Sequence, residues 1–107
     1  MVRLGLMACC LFCFSAAALA AVPSQQRQGE LLHLLKQDCG SCHGMTLKGG
    51  LGPALTADVM ANKSRELILH TILEGRAGTP MPPWSSILKF EEAEWLVDVL
   101  YEGRAHD

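Results

Sequence analysis

The sequence predicts a small all-α domain. Apolar residues recur at helical spacing around 30–38, 65–73 and 93–101, and no stretch shows a convincing strand pattern. The 107-residue chain also carries one run, Cys39-Gly40-Ser41-Cys42-His43, whose chemistry requires a local helical turn. C-x-x-C-H is the attachment signature for c-type haem. Two thiols three residues apart can each add to one haem vinyl group, and the next residue, His43, is then held under the iron as its proximal ligand. The apolar stretch before it, with leucines at 31, 32, 34 and 35, would deliver the turn.

Three rival readings of the run compete with haem. A thioredoxin-like redox pair calls for a βαβ pattern around C-x-x-C, and none is evident. A zinc site needs two further well-placed ligands, and His33, His70 and His106 form no H-x₃₋₅-H pair. The third is chance occurrence. Haem is the reading that motif and context favour together.

The first 20 residues are expected to be absent from the working protein. Met1-Val2-Arg3 is a short positive start, Leu4 to Leu19 is nearly all apolar, and Ala18-Leu19-Ala20 is an A-x-A cleavage site, the three parts of a secretory signal peptide. The run is marginal for a retained membrane anchor and no stop-transfer pattern follows it. A lipid-attachment box at Cys9 would leave too short an apolar run before it. Cleavage removes Cys9, Cys10 and Cys13, so residues 21–107 keep only Cys39 and Cys42. Export agrees with C-x-x-C-H, since c-type haem is attached outside the bacterial inner membrane. The expected location is the periplasm of a Gram-negative bacterium, with no membrane association after cleavage.

The remaining 87 residues (107 − 20) are few for a self-sufficient core, and a buried haem would supply much of the missing apolar interior. Only Arg3 is lost from the charge count, leaving eight basic and eleven acidic side chains, a formal net of −3. No basic patch for nucleic acid is expected.

In chain order, Ala21 to Gln28 reads as a loose polar leader, and the first helix runs from Glu30 into the motif. Gly49-Gly50-Leu51-Gly52-Pro53 reads either as an ordinary surface turn or as a loop hugging the proximal side of the haem. In the second case the carbonyl of Pro53 accepts a hydrogen bond from the free nitrogen of His43, fixing the ring and strengthening it as a donor. A short turn is expected over 56–60. Ser64 caps a helix over 65–73 that Gly75 stops; His70 within it reads as a structural or surface residue. Thr79-Pro80-Met81-Pro82-Pro83 is too proline-rich for helix and is stiff enough to hold a thioether in place. Met81 is therefore the expected sixth ligand of the iron. Met45 lies too near His43 to reach the opposite face, and Met60, another His or water are the alternatives. Trp84 packs near the haem edge or in plain core, and Arg76 meets a propionate or solvent. Glu91, Glu92 and Glu94 suit a helix start, Ala93, Leu96, Val97 and Leu100 give that helix its buried face, and Gly103 ends it. Arg104 to Asp107 reads as a tail.

With these stretches in order, residues 28–103 resemble a class I cytochrome c, which implies helices wrapped around one covalent haem, the first and last crossing each other. One departure is Leu31, which stands eight before Cys39 where the family usually has glycine; Gly29 lies two earlier, so the crossing is expected to be looser or shifted. Cys39-Gly-Ser-Cys-His-Gly, Gly49-Gly-Leu-Gly-Pro-Ala-Leu and Gly78-Thr-Pro-Met-Pro-Pro-Trp together resemble the cytochrome c55X branch of denitrifying bacteria. The resemblance implies haem c on Cys39 and Cys42, His43 and Met81 on its iron, and Pro53 behind His43. It further implies an electron carrier, not an enzyme, taking electrons from an upstream donor and passing them to a haem-d-type nitrite reductase, or serving that reductase's maturation. A protein with an open sixth position, acting as a ligand sensor or enzyme, is the rival from another class.

Overall fold

The computed structural model describes residues 21–106; the expected signal peptide, residues 1–20, lies outside the described residues. Those described are helical, with no strand among them. The order is α1 (Gln25–Leu34), a widened π turn (Leu35–Cys39), α2 (Gly40–His43), α3 (Ala57–Met60), α4 (Arg65–Glu74), α5 (Phe90–Tyr101) and a closing 3₁₀ turn (Arg104–His106). None of these helices is long and apolar enough to cross a membrane.

The first helix begins earlier than its apolar spacing predicts. Ser24 caps it, its hydroxyl accepting from the Arg27 N–H, so the second half of the stretch expected to be a loose leader, from Gln25 to Gln28, is the first turn of α1. Leu31 and Leu35, one turn apart, are buried. The backbone then widens: the Gly40 N–H reaches the Leu35 carbonyl, an i→i+5 bond. One extra residue in a turn rotates the next turn by about 100° relative to an unbroken helix. The Cys-x-x-Cys-His turn thus has its own orientation while α1 keeps its leucines in the core.

The fifth helix supplies most of the core. Ala93, Trp95, Leu96, Val97, Val99 and Leu100 are buried. Trp95, Leu96, Val99 and Leu100 form one cluster with Leu31, Leu35, Leu47, Met60 and Leu88. Three polar ties hold the layers around it. The Arg27 guanidinium grips both carboxylate oxygens of Glu92, at 2.7 and 3.3 Å, joining α1 to the first turn of α5. The same carboxylate accepts the Lys89 N–H at 3.0 Å, closing the start of α5. Between α4 and α5, Arg65 pairs with Asp98 and lies over the Tyr101 ring, whose hydroxyl donates to the Lys63 carbonyl.

The departure at position 31 has a structural answer. Leu31 is fully buried, while a side-chain carbon at Gly29 would meet nothing within 4 Å, so Gly29 does not stand in as the small residue of a close crossing. The Arg27–Glu92 ion pair fastens the two helices instead. The C-terminus also differs from expectation: Ala105 is buried in the core cluster and Arg104 lies over the Trp95 ring, so this segment is packed where a tail was expected.

Candidate haem site

A helix that stops at His43 leaves its last carbonyls without partners. The loop that comes next supplies them. The Gly49 N–H donates to the His43 carbonyl and the Gly52 N–H to the Cys42 carbonyl, both at 2.8 Å. Leu55 donates to the Leu47 carbonyl, closing the loop's base. Leu47 holds φ +56°, a conformation costly for a branched residue by about 1–2 kcal/mol, and its side chain is buried in the core. That burial anchors the loop and offsets the strain.

The folded-back loop brings Pro53 to His43. The ring's Nδ1 lies 2.6 Å from the Pro53 carbonyl oxygen. A carbonyl can only accept, so Nδ1 carries the hydrogen, and in the neutral imidazole Nε2 is left with a free lone pair. Gly52 closes the other side. A methyl group built there would stand 2.8 Å from both Cε1 and Nδ1 of the ring and 3.3 Å from Nε2. Only a residue without a side chain lets the loop lie this close. The ring is thus oriented by one hydrogen bond and one steric contact, with Nε2 free.

Cys39 and Cys42 sit one turn apart at the junction of the π turn and α2, both as free thiols. Cys39 is partly covered, and burial, reinforced by the charge of Asp38, pushes its thiol up to about 11. A nucleophilic redox thiol is pulled down to its thiolate, and Cys39 is shifted the other way. Among the described residues no three His, Cys, Asp or Glu side chains come together as a metal cage, as a zinc site would need. Iron inside a porphyrin needs none, because the macrocycle supplies four nitrogens. The residues present fit haem c: two free thiols, then an imidazole whose Nε2 is free and whose orientation Pro53 and Gly52 set.

The methionines separate by setting. Met60 is 1% exposed within the hydrophobic core. Met45 is exposed, its sulfur lying against Gly40 of the Cys-x-x-Cys turn. Met81 is half-buried at the closing end of a loop springing from α4. Gly75 opens that loop at φ +68°, and a methyl group there would strike the Met81 carbonyl at 2.7 Å and the Pro82–Pro83 backbone at 2.8 Å. The Arg76 N–H donates to the Met81 carbonyl at 3.2 Å, and the Met81 N–H donates to the Thr79 hydroxyl at 3.3 Å. Beyond it, Trp84 and Ser85 donate to the carbonyls of Ile72 and Leu73, returning the chain to α4. Trp84 is half-buried and packs against the core cluster, and Arg76 is exposed. His70 is exposed, beside Leu69, Leu73 and Phe90.

Sequence reasoning names Pro53, whose carbonyl does meet His43, and Met81, but not the residues packed around them. Gly52 had a readable signal, a glycine directly before the proline whose carbonyl is used. Thr79, a hydroxyl two residues before Met81, had one too. The Arg27–Glu92 tie had none, since 65 residues separate the partners.

Comparisons with known proteins place the chain among c-type cytochromes. The family model described as cytochrome c oxidase, cbb3-type, subunit III, matches residues 25–99. The chain is 57% identical over 81 residues to cytochrome c55X of Pseudomonas aeruginosa, covering 76% of this chain and 68% of that protein. It is 50% identical over 101 residues to cytochrome c55X of Stutzerimonas stutzeri, covering 94% and 88%. The solved c-type cytochrome NirC superposes with a TM-score of 0.76 at 55% identity, covering 78% of this chain and 98% of that one. A solved dihydro-heme d1 dehydrogenase, NirN, superposes at 0.60 with 33% identity, over 64% of this chain but only 15% of that larger protein.

Proposed function

Because the chain belongs to the cytochrome c55X family of c-type cytochromes, with covalent haem c as its cofactor, we propose that it is a periplasmic carrier of single electrons in denitrification, delivering them to a haem-d-type nitrite reductase. The observation that carries the reading is the His43 ring, locked between Pro53 and Gly52 with Nε2 free, on the turn that bears both thiols.

The haem supplies an iron that exchanges one electron between its ferrous and ferric states. The chain does the rest. Cys39 and Cys42 provide the two sulfurs of the thioether tethers. His43 would offer Nε2 to the iron, and the Pro53 carbonyl, by drawing on the Nδ1 hydrogen, would make that nitrogen a stronger donor. Met81 would offer a thioether, a soft ligand that would favour the ferrous state and raise the potential. With His43 and Met81 both committed to the iron, the protein would carry charge without bonding to, or doing chemistry on, a substrate.

A second reading rests on the likeness to dihydro-heme d1 dehydrogenase, whose name assigns it to a haem d1 precursor. On that reading this chain serves maturation of the reductase's d-type haem. A deletion strain separates the two. A donor leaves the reductase assembled, with its d-type haem in place, but short of electrons; a maturation role predicts a reductase lacking that haem. Finding d-type haem fully assembled and nitrite reduction undiminished in the deletion strain would refute both.

A further inference from the structure

The loop that carries Met81 is short of hydrogen-bond donors. Pro80, Pro82 and Pro83 have no N–H, so between Thr79 and Trp84 the Met81 amide is the one backbone donor. Its partner is the Thr79 side chain. The Thr79 hydroxyl donates to the Arg76 carbonyl at 2.7 Å, which commits its hydrogen, and its oxygen faces the Met81 N–H at 3.3 Å. Arg76 completes the ring of contacts, its N–H donating to the Met81 carbonyl at 3.2 Å and its carbonyl also accepting the Thr79 N–H at 3.1 Å. Both backbone groups of Met81 are therefore tied to the Arg76–Thr79 turn, one directly and one through a single hydroxyl. On the far side Gly75 lies so close to the Met81 carbonyl that the turn has no room to shift that way.

We propose that Thr79 is a positioning residue for the sixth ligand: its hydroxyl, bridging Arg76 and Met81, fixes the backbone from which the Met81 thioether reaches the iron. The proposal rests on the reading of Met81 as that ligand. It also explains how an exposed loop lacking regular structure can hold a sulfur in place. The prolines restrict the backbone to a narrow set of shapes, and the hydroxyl selects one of them.

The test uses the haem-loaded protein with Thr79→Val, which keeps the volume and removes the hydroxyl, and Thr79→Ser, which keeps the hydroxyl. Imidazole is titrated into the ferric protein while the weak sulfur-to-iron band and the thermal midpoint are followed. Losing one neutral hydrogen bond should free the thioether to be displaced, so Thr79→Val should bind imidazole about two- to tenfold more tightly than wild type, with a weakened band. Thr79→Ser should behave as wild type. A Thr79→Val protein that melts earlier yet binds imidazole like wild type overturns the proposal, because the hydroxyl then supports the fold without positioning the ligand. If Thr79→Val cannot be obtained with haem, Thr79→Ala against Thr79→Ser makes the same comparison. A wild-type protein without the sulfur band overturns both this proposal and the ligand reading beneath it, whereas a normal wild-type band with an unaffected Thr79→Val overturns the proposal alone.

Discussion

Replacing Gly52 by alanine should raise the reduction potential, because it attacks the proximal ligand from behind. The added methyl would stand 2.8 Å from two atoms of the His43 ring, where carbon contacts settle at about 3.5 Å or more. Something must give by about 0.7 Å, the difference between that settled distance and the built one. The loop is held by the Gly52 N–H bond to the Cys42 carbonyl at 2.8 Å, so the ring is the freer partner. If the ring takes up all of that displacement along its bond to Pro53, the Nδ1···O distance grows from 2.6 Å to at most about 3.3 Å, past the ordinary range for an N–H···O bond. The bond's net worth is about 0.5–1.5 kcal/mol. A one-electron couple shifts about 59 mV for each tenfold change in equilibrium constant, so the change is bounded at about 20–65 mV. Its sign is positive, since an imidazole that has lost its acceptor is a weaker donor and stabilises ferric iron less. Gly52 does not have positive φ, so alanine adds no backbone strain of its own. Potentiometric titration of the wild type and Gly52→Ala, both haem-loaded, reads the shift directly. An unchanged or lowered potential would refute the idea that the loop presses on the ring and fixes its hydrogen bond.

Three further outcomes are expected from the geometry. Met81→Ala should keep the haem covalently attached, abolish the sulfur-to-iron band and lower the potential, opposite in sign to Gly52→Ala; an unmoved potential would assign the sixth position elsewhere. The Arg27 guanidinium holds the Glu92 carboxyl below the usual carboxylate range. A carboxylate with a depressed folded value stabilises the fold above its unfolded value, near 4.5, and loses that contribution as pH falls through the lower folded value. Thermal midpoints of wild type and Glu92→Gln should therefore differ at pH 7 and converge under strong acid; a gap that persists in acid would contradict the ion pair as the cause. Arg65→Ala, which removes an exposed pair with Asp98, should shift the midpoint only slightly, and a large loss on thermal melting would mean the Tyr101 contact carries much more than exposed cation–π pairs usually do.

The residues that carry local chemistry were legible in the sequence, and those that act over distance were not. Cys39, Cys42 and His43 announce themselves because their spacing is itself the chemistry. Pro53 and Met81 could be singled out because glycine and proline restrict the backbone in ways that residue type alone reveals. The helix over 65–73 was readable for a similar reason, Ser64 and Gly75 marking its two ends. The leader misled because Gln25, Gln26 and Gln28 show no apolar periodicity; the capping by Ser24 and the clamp of Arg27 on Glu92 make it helical, and the clamp depends on a residue 65 positions away. The acidic start of α5 reads as helix-terminus chemistry, which holds for Glu91 and Glu92 but omits that Glu92 is also buried as a tie between helices. The Arg104–His106 turn was hidden likewise: its contacts, to Trp95 and the core cluster, are tertiary.

The most direct test of a His43- and Met81-ligated haem c is the absorption spectrum of the protein exported from a strain able to attach haem c, recorded oxidised and reduced and again after denaturation. The expected result is haem that stays bound to the unfolded chain, a sharp low-spin reduced spectrum, and the weak sulfur-to-iron band in the oxidised form. Low-spin haem without that band would remove Met81 from the iron, and a high-spin spectrum with ready carbon monoxide binding would make the protein a sensor or an enzyme. Haem that washes away on denaturation, or no haem at all, would contradict the thioether tethers at Cys39 and Cys42, on which every other role given to these residues depends.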